Sequence, residues 1–146
     1  MKLYSLLYIS RSLVTAESGE MQAIAEASQR NNGARGITGF LYYDNAFFLQ
    51  VLEGLREDVL ELYAVIEKDP RHNSVRVLHA HSVESRAFGG WAMGLYDGEL
   101  DGGLLGERFG PEVLTAASDV DAVELVRFLR DLSLGRSDVY ELQSSG

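Results

Sequence analysis

The chain has 146 residues, the length of one domain, and 46% of them are hydrophobic, which is ordinary for a globular protein and excludes disorder. It contains no cysteine, so a disulfide framework, a thiolate zinc site and a cysteine nucleophile are excluded. A formal net charge of −9 would repel a phosphate backbone and argues against nucleic-acid binding.

In chain order, residues 2–10 alternate in part and carry aromatic and aliphatic side chains, which predicts a strand. This N-terminus is too short and too interrupted by polar residues for a signal peptide, and no apolar run approaches the roughly 20 residues of a membrane span. A soluble cytoplasmic protein is expected. Ser18 caps a helix predicted from about Gly19 to Arg30, with Met21, Ile24, Ala25 and Ser28 on one face, and Asn31-Asn32-Gly33 ends it. Ile37–Tyr43 and Ala46–Leu52 are strand candidates, and the two residues Asp44-Asn45 between them suit a tight hairpin. Gly54 is expected to break the second of these strands.

A second helix is predicted from about Arg56 to Lys68, with Val59, Leu62, Tyr63 and Ile66 on one face, stopped by Asp69-Pro70. Ser74–Ser82 reads as a strand, and a further short strand is expected to start near Trp91. The glycines at 98, 102, 103, 106 and 110 make the next stretch loop-rich, without the spacing of a phosphate-binding loop. Pro111 starts a short helix, and Ser118 caps another to about Leu134 with Leu125, Phe128, Leu129 and Leu132 as its stripe. Residues 137–146 are expected to fray. The order βαββαβ with a fifth strand predicts an α+β, ferredoxin-like βαββαββ sheet with two helices on one face and a C-terminal helical extension.

Most residues with chemical potential have plain readings. His79 and His81 lie two apart on a strand and face one way, but two ligands are weak grounds for a metal site, and none is expected. With His72 they read as surface or sheet histidines. Glu53 and Asp69 have nothing in the sequence to bring them together, and Arg71 beside Asp69 reads as a local ion pair. Read alone, Tyr8 is a core tyrosine with its hydroxyl satisfied, and Asn31-Asn32 is a helix C-cap. Packing alone explains Trp91 and Met93. Gln50 lies within Phe47-Phe48-Leu49-Gln50-Val51-Leu52, a run expected to be buried, where a primary amide needs partners for two donors and two lone pairs. Neighbouring backbone or a tyrosine would supply them.

Taken together, these residues carry a pattern. Tyr8, Asn31-Asn32, Gly36-Ile37-Thr38-Gly39, Phe48-Leu49-Gln50-Val51-Leu52-Glu53-Gly54, Asp69-Pro70-Arg71-His72 and Trp91-Ala92-Met93 follow in order. Over roughly residues 1–95 this resembles the BLUF family, sensors of blue light using flavin adenine dinucleotide. The resemblance implies non-covalent FAD between two helices, with Ile24 and Ile66 at the positions that pinch its ring. Asn32 matches the amide on the flavin's polar pyrimidine edge, and Asn31 a neighbouring contact. Asp69 and Arg71 match residues near the other carbonyl and the outer end of the cofactor, and Ser28 and Phe48 complete the implied contacts. Tyr8 and Gln50 match the photochemical pair, and Trp91 and Met93 the residues of signal output. Ala92 stands where many relatives carry serine, and Val65 where some carry a basic residue near the phosphates, for which Lys68 is a substitute.

The implied division is a flavin-binding photosensor domain at 1–95, a loop and two helices packing on it at 96–136, and a tail at 137–146. The implied function is light sensing, not catalysis. Its output passes to a separate response partner or through homo-oligomer assembly, as in short BLUF proteins. Two rivals are an acyl-phosphate hydrolase using Asn32 and Arg71, and an interaction module without photochemistry. No phosphate loop follows the first strand, against the former, and the joint presence of Tyr8 and Gln50 argues against the latter.

Overall fold

A computed structural model describes residues 3–13, 35–44, 46–89, 94–97, 104–109, 119–135 and 140–141. Among the described residues, six strands form one sheet: β1 (Leu3–Ser12), β2 (Thr38–Tyr43), β3 (Phe47–Gly54), β4 (His72–Val83), β5 (Gly94–Asp97) and β6 (Tyr140–Glu141), in the order β4-β1-β3-β2-β5-β6. The first four pair antiparallel in the order β4-β1-β3-β2, the ferredoxin-like core expected from the chain order. β5 joins β2 in parallel, and β6 joins β5 antiparallel.

Both faces of the sheet are apolar. Leu6, Tyr8, Leu41, Tyr43, Phe48 and Leu52 point to one face, where the helix α1 (Arg56–Glu67) packs. Leu7, Ile9, Phe40, Tyr42, Leu49 and Val51 point to the other, where the C-terminal helix α3 (Asp119–Gly135) packs. The alternation of period two puts successive residues of each strand on opposite faces, so a strand apolar at every position is one covered on both sides.

Leu55 precedes α1 without a side-chain cap, and Glu57 and Asp58 place negative charge at its first turn, where the helix dipole favours it. Val59 is fully buried, and Leu62, Tyr63 and Ile66 pack partly buried against the sheet, as their spacing predicts. The helix ends at Lys68, and Pro70 cannot continue it. On α3, Leu125, Phe128, Leu129 and Leu132 are all buried, with Ala122 added to the stripe. The Phe128 ring meets Tyr42 edge-on at 5.6 Å between centroids, and Phe109 at 5.5 Å.

The hairpin between β2 and β3 is held by Asp44, whose Oδ1 accepts from Ala46 N and Phe47 N, both at 2.7 Å, while its Oδ2 accepts from the Tyr42 hydroxyl at 2.6 Å. Three expectations are modified. β3 ends at Gly54, but the glycine is still part of the ladder: it pairs with Tyr4, and a Cβ there would meet Ile37 Cγ1 at 3.2 Å, so close approach of the chain explains the glycine. A short helix, α2 (Leu104–Phe109), stands in the glycine-rich stretch read as loop, tied down by Leu105 N donating to the Tyr42 hydroxyl at 2.9 Å. Tyr140–Glu141, in the tail expected to fray, gain a ladder against β5. The helix predicted at 19–30, the one predicted at Pro111, and Trp91 and Met93 lie outside the described residues. No helix among the described residues is long and apolar enough to cross a membrane.

Candidate functional site

The face of the sheet beneath α1 carries the polar residues singled out in the sequence. Tyr8 and Gln50 are directly opposed in the register of β1 and β3, and both are buried. The Tyr8 hydroxyl donates to Gln50 Oε1 at 2.5 Å. Burial pushes the Tyr8 phenol far above its ordinary value, with further upward pressure from Tyr63 and Asp69. Tyr8 therefore stays a protonated donor at ordinary pH. With Oε1 turned to Tyr8, the two N–H donors of the Gln50 amide are at its other end.

Around Tyr8 stands a frame that the sequence reading missed. His72, read as a surface or sheet histidine, is buried at the start of β4. Its Nε2 lies 2.7 Å from the Ile66 carbonyl, which can only accept, so Nε2 carries a hydrogen. Its Nδ1 is bonded to Ser10 Oγ at 2.7 Å. The His72 ring meets Tyr8 at 6.1 Å, nearly perpendicular, and Phe48 at 5.6 Å. The Tyr63 ring of α1 lies tilted against that of Tyr8, with centroids 5.9 Å apart. The signal for this frame is the alternation Leu6, Tyr8, Ser10 in β1, which places Ser10 on the tyrosine's face.

At the C-terminal end of α1, Asp69 Oδ1 accepts from Arg71 N at 2.9 Å and from Arg71 Nε at 3.0 Å. Burial alone would raise the Asp69 pKa, but the Arg71 hydrogen bonds and charge, with a smaller effect of His72, outweigh it and hold the carboxyl below its ordinary value. Ile66 and Phe48 lie on this same face. Glu53 does not: it points to the opposite face and is far from being a partner of Asp69. His79 and His81 face one way, as their spacing predicts, with rings stacked at 3.9 Å. Among the described residues, no group of three or more His, Asp or Glu is placed to hold a metal. Ile24, Ser28, Asn31, Asn32, Trp91 and Met93 lie outside the described residues.

A flat aromatic cofactor needs apolar side chains on its faces and hydrogen-bonding groups at its polar edge. The stripe of α1 is sealed at Val59, and Leu62, Tyr63 and Ile66 remain partly exposed beyond it. The Gln50 amide, Asp69 and Arg71 supply polar groups on the same side. The residues present fit a flavin.

Known proteins agree with this geometry. A family described as sensors of blue-light using FAD, BLUF, matches residues 3–94. The chain is 36% identical over 86 residues to the photoactivated adenylate cyclase subunit beta of Euglena longa, a match covering 59% of this chain and 10% of that protein. It is 30% identical over 95 residues to the blue light- and temperature-regulated antirepressor BluF of Escherichia coli strain K12, covering 65% of this chain and 24% of that one. The chain thus spans about a tenth of the length of the Euglena relative and about a quarter of the bacterial one. The dark-state structure of BlrB, a BLUF protein, superposes with a TM-score of 0.73 at 29% identity, covering 88% of this chain and 96% of that chain. With the match spanning most of the chain and the opposed Tyr8–Gln50 pair at its centre, this protein belongs to the BLUF family of blue-light sensors that bind FAD without a covalent link.

Proposed function

We propose that this chain turns blue light into a rearranged hydrogen-bond network centred on Tyr8 and Gln50, and passes that change on without catalysing a reaction of its own. The observation that carries the reading is the 2.5 Å hydrogen bond between opposed, buried residues. Bound FAD supplies the absorber of blue light and, when excited, a strong one-electron acceptor. Ile24, Ser28, Asn31, Asn32, Phe48, Gln50, Ile66, Asp69 and Arg71 are the residues proposed to hold it.

Tyr8 is the proposed electron donor. Losing an electron makes its phenol strongly acidic, although burial keeps the resting phenol protonated. The existing bond gives the released proton a path from Tyr8 Oη to Gln50 Oε1. An amide that both donates and accepts can take the proton at one end and respond at the other, by rotation or by a change of tautomer. When electron and proton return to Tyr8, the amide is left rearranged. Each altered hydrogen bond is worth about 1 kcal/mol net, and more where water is excluded. About 1 kcal/mol shifts a two-state equilibrium about fivefold, within the usual scale of coupling between sites.

Residues 1–95 are proposed as the photosensor, with Trp91 and Met93 in the output segment and the helices of 96–136 as the element that responds. The relatives named as a cyclase subunit and as an antirepressor support transmission to other protein modules. A separate response partner, or a change of homo-oligomer, is proposed here, in the cytoplasm. The test is an absorption spectrum of the purified protein before and after blue light and during dark recovery. An oxidised-flavin spectrum with a small reversible red shift is expected, and Gln50→Leu should bind flavin and lose the shift. A normal shift in Gln50→Leu would refute the mechanism, and a protein that takes up no flavin would refute the reading as a whole.

A further inference from the structure

Tyr8 and Gln50 face α1, whereas α3 packs on the other side of the sheet. A signal that begins at Gln50 and ends at α3 must therefore cross a strand. Glu53, three residues further along β3, stands on the far face and is buried, with 1% of its surface exposed. A buried carboxylate needs several donors. Glu53 finds them mainly in the segment that follows β4: Oε2 accepts from Ala87 N at 2.7 Å and Oε1 from Phe88 N at 2.9 Å. Oε1 also accepts from the Thr38 hydroxyl at 3.1 Å, from the position opposite Glu53 on β2. Arg86 locks the same point, donating from Nη1 to the Glu53 carbonyl at 3.0 Å and to Thr38 Oγ1 at 2.8 Å.

The segment so held is itself built into the core under α3. The Phe88 ring packs on Phe40 at 5.7 Å and belongs to the same apolar cluster as Leu125, Phe128 and Leu129. In sequence, residues 86–88 lead directly to Trp91 and Met93. We propose that the Glu53 carboxylate is the positioning group that carries a change at Gln50 across the sheet, by fixing the main chain of 86–88 to β3 and through Phe88 to the packing of α3. The inference rests on the light reaction proposed above and names the route by which it leaves the flavin side. Strand β3 makes the link stiff: a displacement at Gln50 moves Glu53 with it, and both carboxylate oxygens are bonded to successive amides of the receiving segment.

The test is Glu53→Gln, close to isosteric, in the full chain. A neutral amide has one acceptor oxygen in place of two, so it cannot serve Ala87 N and Phe88 N as the carboxylate does. Two readouts are taken on each protein: the red shift under blue light, and amide hydrogen exchange in light and dark at residues 86–88 and along α3. The unsubstituted chain should show the shift and a light-dependent change of exchange at both places. Glu53→Gln should keep the shift, exchange Ala87 and Phe88 faster already in the dark, and lose most of the light-dependent change in α3. A full α3 response in Glu53→Gln overturns the proposal while leaving the light reaction standing. Absence of a red shift in the unsubstituted chain overturns both. Should Glu53→Gln fail to fold, Phe88→Leu, which leaves the Glu53 bonds in place and removes the ring that joins this segment to the core under α3, decides: a weakened α3 response supports the coupling, and an unchanged one overturns it.

Discussion

Tyr8 and Gln50 face each other across β1 and β3, with the phenol hydroxyl 2.5 Å from the amide oxygen. Neighbouring strands hold opposed side chains within reach, so the pair is set by sheet register and not by a mobile loop. Tyr8→Phe keeps the ring against Tyr63 and His72 and deletes only the hydroxyl. Flavin binding should survive, and stability should fall by about 1 kcal/mol in urea unfolding. The reversible red shift should be lost, because the proposed donor of the electron and the proton is gone. A shift of ordinary size in Tyr8→Phe would show that another donor serves the reaction.

The buried phenol also predicts an alkaline limb in the stability profile. The folded state holds the Tyr8 proton at pH values where the unfolded chain, with its phenol near 10.0, has released it. Protons bound in excess by the native state mean that stability is fully present below that pH and falls as pH rises beyond it. Tyr63, also shifted upward by burial and then by Glu67, acts in the same direction. Urea-unfolding midpoints across the alkaline range should therefore decline less steeply in Tyr8→Phe than in the parent. Equal slopes would mean that Tyr8 is not shielded from water.

Much of this was legible in the sequence, for reasons that differ by element. The hairpin followed from two apolar runs separated by Asp44-Asn45, and the stripes of α1 and α3 followed from spacing, because one-face burial leaves a periodic mark. Gln50 stood out because an amide inside an apolar run demands an explanation. Its pairing with Tyr8 was not readable from composition, since register between β1 and β3 depends on how distant strands meet. The partners of His72 were not readable for a related reason: Ser10 and Ile66 belong to two other elements. The helix at Leu104–Phe109 was hidden by glycines, and is fixed by a tertiary bond to Tyr42 that local propensity cannot express.

The role of His72 can be measured. His72→Leu removes both ring nitrogens and leaves Ser10 Oγ and the Ile66 carbonyl each short of a partner in a buried setting. The cost should be about 1–3 kcal/mol, and Ser10→Ala alone should cost less. A double-mutant cycle between the two should give a coupling of at least about 0.5 kcal/mol, because they share one hydrogen bond. Since the His72 ring is also a wall against Tyr8, dark recovery after blue light should change in His72→Leu. Additive stabilities would show that the Ser10–His72 contact contributes nothing of its own.

The separation of the two faces predicts that output can be damaged without touching photochemistry. Phe128 on α3 is buried against Tyr42 and Phe109, on the side of the sheet away from Tyr8. Phe128→Leu keeps the site apolar and removes the ring edge, at a cost of about 1–2 kcal/mol. Flavin content and the red shift should stay at parental levels, because neither Tyr8 nor Gln50 shares a cluster with Phe128. Amide exchange in α3 should rise in the dark, and the difference between light and dark should shrink as the dark state comes to match the lit one. If the red shift itself were lost, the two faces would not be independent, and the α3 packing would have to be counted as part of the light-sensing site.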